Sequence, residues 1–168
     1  MESLSSDELR PLQEGDREAL LGLLRKTGAF RPDEVEVAEE LIDAGLERGE
    51  ASGYLFRVAA RGGAPTGYAC YGPTPCTEGT FDLYWIAVSP EAQGRGVASR
   101  LLRSVEAELT ARGGRLLVAE TEEARGYEPA MTFYAARGFR KVARVPDFYR
   151  PGRAKLIYTK PLCRTGGL

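Results

Sequence analysis

Val88-Ser-Pro-Glu-Ala-Gln93-Gly94-Arg95-Gly96-Val97-Ala98 joins a strongly β-prone run, Thr80–Val88, to the clearest helical pattern of the chain, Gly96–Arg112. On that helix Val97, Leu101, Leu102, Val105 and Leu109 share one stripe, the spacing of an amphipathic helix. Gly113-Gly114 ends it. Leu116–Ala119 follows as a continuous apolar run. After a helical crossover such a run is expected to lie parallel and to be buried on both faces. Small residues stand where the backbone turns, at Gly94, Gly96 and Ala98, and they permit unusual backbone angles and close approach of a ligand. The first amides of a helix have no internal acceptor and point out at the positive end of its dipole. The segment is therefore a site for a diphosphate, with Arg95 and Arg100 adding charge. The plainer alternative is an ordinary turn into a helix.

Working outward, residues 8–13 suit a short edge strand, with Pro11 confining it to the sheet's rim. A helix opens at Glu14-Gly15-Asp16, carries Leu20, Leu21, Leu23 and Leu24, and stops at Thr27-Gly28. A second starts near Pro32, with Val35, Ala38, Ile42 and Leu46 at helical spacing. Its other face bears Glu36, Glu39, Glu40, Asp43 and Glu47. Tyr54–Arg61 and Thr66–Tyr71 form a hairpin about Gly62-Gly63. Beyond the central unit, Pro129–Arg137 reads as a short helix closed by Gly138. Phe139–Val145 and Ala154–Lys160 pair around a turn at Pro146–Gly152. The fold class is α+β: a three-layer sandwich around a mixed, mostly antiparallel sheet of about seven strands with about four helices. The 168 residues suffice for one domain, residues 1–168.

Composition narrows the chemistry. A net charge of -1 argues against a general nucleic-acid binder. The start, MESLSSDELR, lacks the features of a signal peptide, and no stretch approaches the roughly 20 apolar residues of a bilayer span. The expectation is a cytoplasmic protein without nucleic-acid or membrane partners. Cys70, Cys76 and Cys163 are odd in number and without CxxC spacing, which suggests free thiols in a reducing compartment. There is no histidine. That removes Ser-His-Asp and Cys-His chemistry and argues against a metal site. Acid–base work falls to Asp, Glu, Tyr, Cys, Lys or water.

Two phosphate motifs fit the turn poorly. A P-loop requires GK[ST], which Gly96-Val97-Ala98 does not supply. A dinucleotide turn would use Gly94-x-Gly96-x-x-Ser99 with Glu120 on the ribose, but Ser89 to Gln93, including Pro90, separate strand and glycines. The sequence instead resembles the GNAT superfamily of N-acetyltransferases. Its signature [Q/R]-x-x-G-x-[G/A] is met by Gln93-Gly94-Arg95-Gly96-Val97-Ala98. Leu83–Pro90 resembles the family's fourth strand, and Pro129–Phe139 resembles its second motif, FY-x-x-x-GF.

The resemblance implies acetyl-CoA as cosubstrate and a small-molecule or peptide amine as acceptor. It implies that Ile86, Ala87 and Val88 form the strand beside the pantetheine arm, through backbone groups of Ile86 and Val88. Amides from Gln93 through Gly94, Arg95, Gly96, Val97 and Ala98 to Ser99 would hold the pyrophosphate. The fourth and fifth strands of the family splay apart, here Thr80–Val88 and Arg115–Thr121, with Glu120 and Glu122 at the end of the latter, and the thioester would lie in that gap. Tyr134 matches the tyrosine that protonates the departing thiolate. Its alternative role is core packing beside Phe133. Asp82 falls six residues before Val88, at a general-base position of the family, and its alternative is a solvated strand-end carboxylate. Glu120, Glu122, Glu78 and ordered water are rivals for that work. Cys70, without a histidine to activate it, reads as a small buried hydrophobe. The acidic face of the second helix would attract a cationic amine. Tyr68, Tyr71, Trp85, Phe148 and Tyr149 would line an aromatic wall, and Pro146–Gly152 would serve as a lid or homodimer contact. Two other functions fit the motifs: a CoA-thioester-binding module without turnover, and a nucleotide-dependent oxidoreductase.

Overall fold

The computed structural model describes residues 7–124 and 127–162. Its elements are β1 (Glu8–Arg10), α1 (Arg17–Thr27), α2 (Pro32–Arg48), β2 (Leu55–Arg61), β3 (Ala64–Pro73), β4 (Thr80–Val88), α3 (Val97–Ala111), β5 (Leu116–Glu123), α4 (Glu128–Ala136), β6 (Arg140–Arg150) and β7 (Arg153–Pro161). The strands form one sheet in the order β1-β2-β3-β4-β5-β7-β6. The β4·β5 ladder is parallel, whereas β1·β2, β2·β3, β5·β7 and β6·β7 are antiparallel. Four helices and an open seven-stranded mixed sheet match the expected class. Contacts divide the chain into two compact units, Met1–Gly72 with Trp85–Val105, and Pro73–Tyr84 with Glu106–Leu168. Among the described residues no helix is long and apolar enough to cross a membrane.

In the first unit, α1 buries Leu20, Leu21, Leu23 and Leu24. Gly28 closes it at φ 63°, a left-handed angle that suits glycine. Pro32 stands in the first turn of α2, and the Arg31 amide donates to Glu34 Oε2 at 2.7 Å, so an end amide of the helix is satisfied. Val35, Ala38 and Ile42 are buried, and Leu46 is half-buried. Arg17 of α1 ties the two helices, donating through Nε to Asp43 at 2.6 Å and through Nη2 to Glu39 at 2.5 Å. The β2–β3 hairpin turns on Gly62 and Gly63, both at positive φ as a two-residue turn requires. Tyr68, Tyr71 and Val58 are buried here.

In the second unit, β4 pairs with β5 from Thr80↔Leu116 to Leu83↔Ala119. The apolar run expected at Leu116–Ala119 is only the first half of β5, and only one of its faces is fully buried. Leu117 and Ala119 are buried, Leu116 and Val118 are half-buried, and Glu120 is exposed. The cause is β7, which pairs antiparallel along all of β5, from Leu116↔Pro161 to Glu123↔Ala154. An antiparallel neighbour extends the strand through polar residues and restores alternation. The expected turn at Pro146–Gly152 is also corrected. β6 runs on to Arg150, with register shifts against β7, and only Pro151-Gly152 turns. Tyr134, Phe139, Leu156 and Tyr158 are buried in this unit.

Gly67 on β3 is fixed by space. A Cβ there would lie 2.9 Å from the Ala87 carbonyl oxygen, 3.2 Å from Val88 and 3.3 Å from Val97. The first contact is backbone and cannot swing aside. Gly67→Ala is expected to destabilise the protein by roughly 1–3 kcal/mol, read as a lower urea midpoint. An unchanged midpoint would show that β3 and β4 separate without cost.

Candidate active site

The turn after β4 sits in the first unit. The Ser89 amide donates to the Thr66 carbonyl at 2.8 Å, which pins the strand end to β3. A single 3-10 turn, Pro90–Ala92, follows and buries Ala92 beside Ala59, Val97 and Leu101. The Gln93 amide donates to the Ser89 carbonyl at 3.1 Å, and its side-chain Nε2 donates to the Val88 carbonyl at 3.2 Å. Gly94 and Gly96 then take φ of 73° and 76°. A Cβ at either position would meet nothing within 4 Å. The glycines are thus required by backbone angle, and the space over them is open to a ligand. Helical bonding resumes where the Arg100 amide donates to the Gly96 carbonyl at 3.0 Å. The amides of Val97 and Ala98 precede that bond, in the first turn, where a helix offers its amides no acceptor of its own. The residues fit a pyrophosphate, with donors running from Gly94 because the Gln93 amide is spent on the turn.

Gln93, Gly94, Arg95 and Gly96 are exposed, Val97 and Ser99 are buried, and Ala98 is half-buried. Ile86 and Val88 are half-buried on one strand face, and Ala87 is buried on the other. Arg100, expected to add charge, directs its guanidinium to the Asp7 carbonyl, so its stem and head fasten β1's leading residue.

The two residues with expected proton-transfer roles lie in the second unit, on different elements. Asp82 is half-buried on β4, and Thr74 Oγ1 donates to its Oδ2 at 2.8 Å. Thr74 was not legible as a site residue, since it sits in a loop without spacing to mark it. Tyr134 is buried on α4, with ring centroids 5.1 Å from Phe139, 5.6 Å from Tyr158 and 5.8 Å from Phe133. Burial pushes its phenol up to about 12, with Tyr158 adding to the effect. It therefore holds its proton at neutral pH, as a donor must.

Several other carboxylates are engaged. Lys155 pairs with the exposed Glu120. Arg153 Nε stands 2.9 Å from Oε1 of the buried Glu122, in ion-pair contact. Glu78 is exposed, and its carbonyl accepts from Arg115 Nε at 2.9 Å. On α2, Arg17 takes Glu39 and Asp43 out of the free acidic face, and it holds the Asp43 carboxyl below its ordinary range. Glu36, Glu40 and Glu47 are exposed. The aromatic wall is reduced in the same way. Tyr68 and Tyr71 are core residues at 1% and 0% exposure. Trp85 is half-buried and stacks on Phe30, centroids 6.1 Å apart and planes 7° apart. Phe30, on the α1–α2 connection, carried no sequence signal. Cys70 is buried, and burial raises its thiol well above the ordinary value, which rules out a thiolate nucleophile at neutral pH. Cys76 is an exposed free thiol, and Cys163 lies outside the described residues.

A glycine turn between a strand and a helix, on a mixed sheet of this order, is the arrangement of an acyltransferase of the GNAT type. The sequence profile of the acetyltransferase (GNAT) family matches residues 18–139, and the chain belongs to that family. It is an N-acetyltransferase. It is 34% identical over 139 residues to the N-alpha-acetyltransferase RimI of Mycobacterium tuberculosis, covering 77% of this chain and 84% of the relative. A GNAT-family protein of Desulfovibrio desulfuricans superposes with a TM-score of 0.89 at 42% identity, over 94% of this chain and all of the other. The yncA protein of Salmonella typhimurium, solved with acetyl-CoA, shares the fold at 19% identity, with a TM-score of 0.73 over 98% of each chain.

The raised phenol of Tyr134 has a consequence for stability. Its value of about 12 exceeds the ordinary 10.0. The neutral form is favoured in the native state, so the contribution is full below pH 10 and is lost as pH rises through about 12. Between those limits the wild type is expected to lose up to about 2 kcal/mol more than Tyr134→Phe, measured by urea unfolding at stepped pH. Parallel losses would place the phenol in water.

Proposed function

We propose that the chain transfers an acetyl group from acetyl-CoA to a primary amine by direct attack in a ternary complex, with residues 1–168 acting as one acetyltransferase domain. The observation that carries this reading is the turn: two glycines at positive φ over open space, immediately before the first turn of α3. Amides from Gly94 to Ser99 hold the pyrophosphate, and Arg95 adds charge beside them. The backbone of Ile86 and Val88 pairs with the pantetheine arm. For Val88, the Gln93 side chain that now donates to its carbonyl must yield or share that acceptor.

The neutral amine attacks the thioester carbonyl. A carbon–nitrogen bond forms, the carbon–sulfur bond breaks, and the sulfur leaves as a thiolate. Alignment supplies much of the acceleration. A strand amide near Ile86 serves the oxyanion. Tyr134 gives its proton to the thiolate, and burial keeps the phenol protonated until that step. Asp82 accepts the amine proton through a bridging water. The Thr74 hydroxyl bond fixes the carboxylate's orientation and leaves its other oxygen for that water.

Acceptor identity goes beyond the geometry. The name of the Mycobacterium relative supports a polypeptide α-amine as the first acceptor to test, with small polyamines and aminoglycosides behind it. Turnover is followed by thiol release with short peptides carrying free amino ends. Tyr134→Phe is expected to lower kcat on the order of 100-fold with KM for acetyl-CoA little changed. The wild-type rate should show no falling limb from Tyr134 below about pH 10. Wild-type kcat in Tyr134→Phe would remove the residue from the chemistry. A CoA-thioester-binding module would instead bind acetyl-CoA and release no thiol with any amine.

A further inference from the structure

β6 is the edge of the sheet: among the described residues it has β7 on one side and no strand on the other. All of it except Ala143 is exposed. Val142, Val145, Phe148 and Tyr149 are four of the five exposed large hydrophobic side chains among the described residues, Val142 at 57% and Phe148 at 51%. An edge strand also offers a row of main-chain donors and acceptors that water alone satisfies.

The same strand carries a surplus of positive charge. On β7 the cations are matched: Arg153 by Glu122, Lys155 by Glu120, and Lys160 by Glu106. On β6, Arg144 is matched by Glu123 at 2.6 Å. Arg140, Lys141 and Arg150 pair with no carboxylate among the described residues. Asp147, the one acid of β6, accepts from the Gly152 amide at 2.7 Å and so closes the hairpin. Exposed apolar surface, an open edge and three unmatched cations thus coincide on one strand.

We propose that the edge of β6 docks an extended acidic peptide segment, which adds as a strand along Arg140–Val145 and places carboxylates against Arg140 and Lys141. Charge decides this occupant. A second copy of the chain pairing antiparallel about the middle of Arg140–Val145 would bring Lys141 against Arg144 of the other copy and gather the cations of both strands at one seam, and like charges across a ladder are unfavourable. Length also limits the partner. Pro146 has no amide hydrogen to give, and Asp147 sits at φ 52°, so a ladder cannot run past Val145. That stretch suits a short peptide and blunts sheet-to-sheet growth. Beyond it, the Phe148 ring has one face against Lys155 Nζ, 4.4 Å from its centroid.

The test is fluorescence polarisation with the labelled peptide acetyl-Glu-Val-Glu-Thr-Glu-Val-Glu-amide at low salt. It does not depend on catalysis. The acidic peptide should bind, and the equivalent with Lys for Glu should bind at least tenfold more weakly. Charge reversal at two exposed positions, Arg140→Glu with Lys141→Glu, should weaken the acidic peptide at least tenfold. N-methylation of alternate peptide amides should do the same, since strand addition uses the main chain. Equal binding after charge reversal would overturn the site, and equal binding after N-methylation would overturn strand addition. Sedimentation showing a dimer that the double variant dissolves would assign the edge to a second copy instead.

Discussion

The turn between β4 and α3 must adopt left-handed backbone angles at Gly94 and Gly96 before the chain can enter its helix. That requirement organises much else. A residue with a Cβ pays for such angles in strain, so glycine at both positions selects one path into α3. The Ser89 bond to Thr66 and the burial of Ala92 against Val97 and Leu101 then fix where the turn begins and ends. Gly67 completes the arrangement from β3, because any side chain there would collide with the Ala87 carbonyl. The parallel β4·β5 pair follows from the same crossover, since a helix between neighbouring strands is the usual way to run them in one direction.

Many charges among the described residues are matched in ion pairs that join separate elements. Arg10 takes Asp16 through two hydrogen bonds of 2.7 and 2.8 Å, and Arg61 takes the buried Asp7 at 2.8 Å. Arg17 gathers Glu39 and Asp43. Such pairs fix helix to helix and strand to turn. The carboxylates of β5 are matched by β7 in the same manner. Asp82 stands apart because its partner is a neutral hydroxyl, which leaves its charge uncompensated by a cation in that bond. Tyr134 stands apart for the opposite reason: an apolar ring cluster suppresses its ionisation.

Most elements were legible in the sequence because each had punctuation and a period. Thr80–Val88 was read to its ends, Gly28 and Gly113 closed their helices, and Gly62-Gly63 turned its hairpin. The failures share a cause. β5 extends past Thr121 to Glu123, and β6 runs on through Pro146 and Asp147, where the local sequence favours a loop. Pairing with β7 holds both in the sheet, and no window of a dozen residues contains that neighbour. Side-chain partners were less legible still. The glycine turn was evident from spacing, but Thr74 beside Asp82, Phe30 on Trp85 and Arg17 among the α2 acids join residues whose meeting only the fold creates. Tyr68 and Tyr71 went to the core because β3 is an interior strand, and an aromatic residue does not announce which side of a sheet it will face.

The central claim is that the Gly94–Ser99 turn receives the diphosphate of acetyl-CoA. Calorimetric titration tests it most directly, with acetyl-CoA and NADH run against the wild type and a Gly94→Val, Gly96→Val double variant. The account predicts acetyl-CoA binding to the wild type, none for NADH, and at least a tenfold loss in a variant that still folds. Absence of binding to acetyl-CoA, or equal binding of NADH, would contradict it.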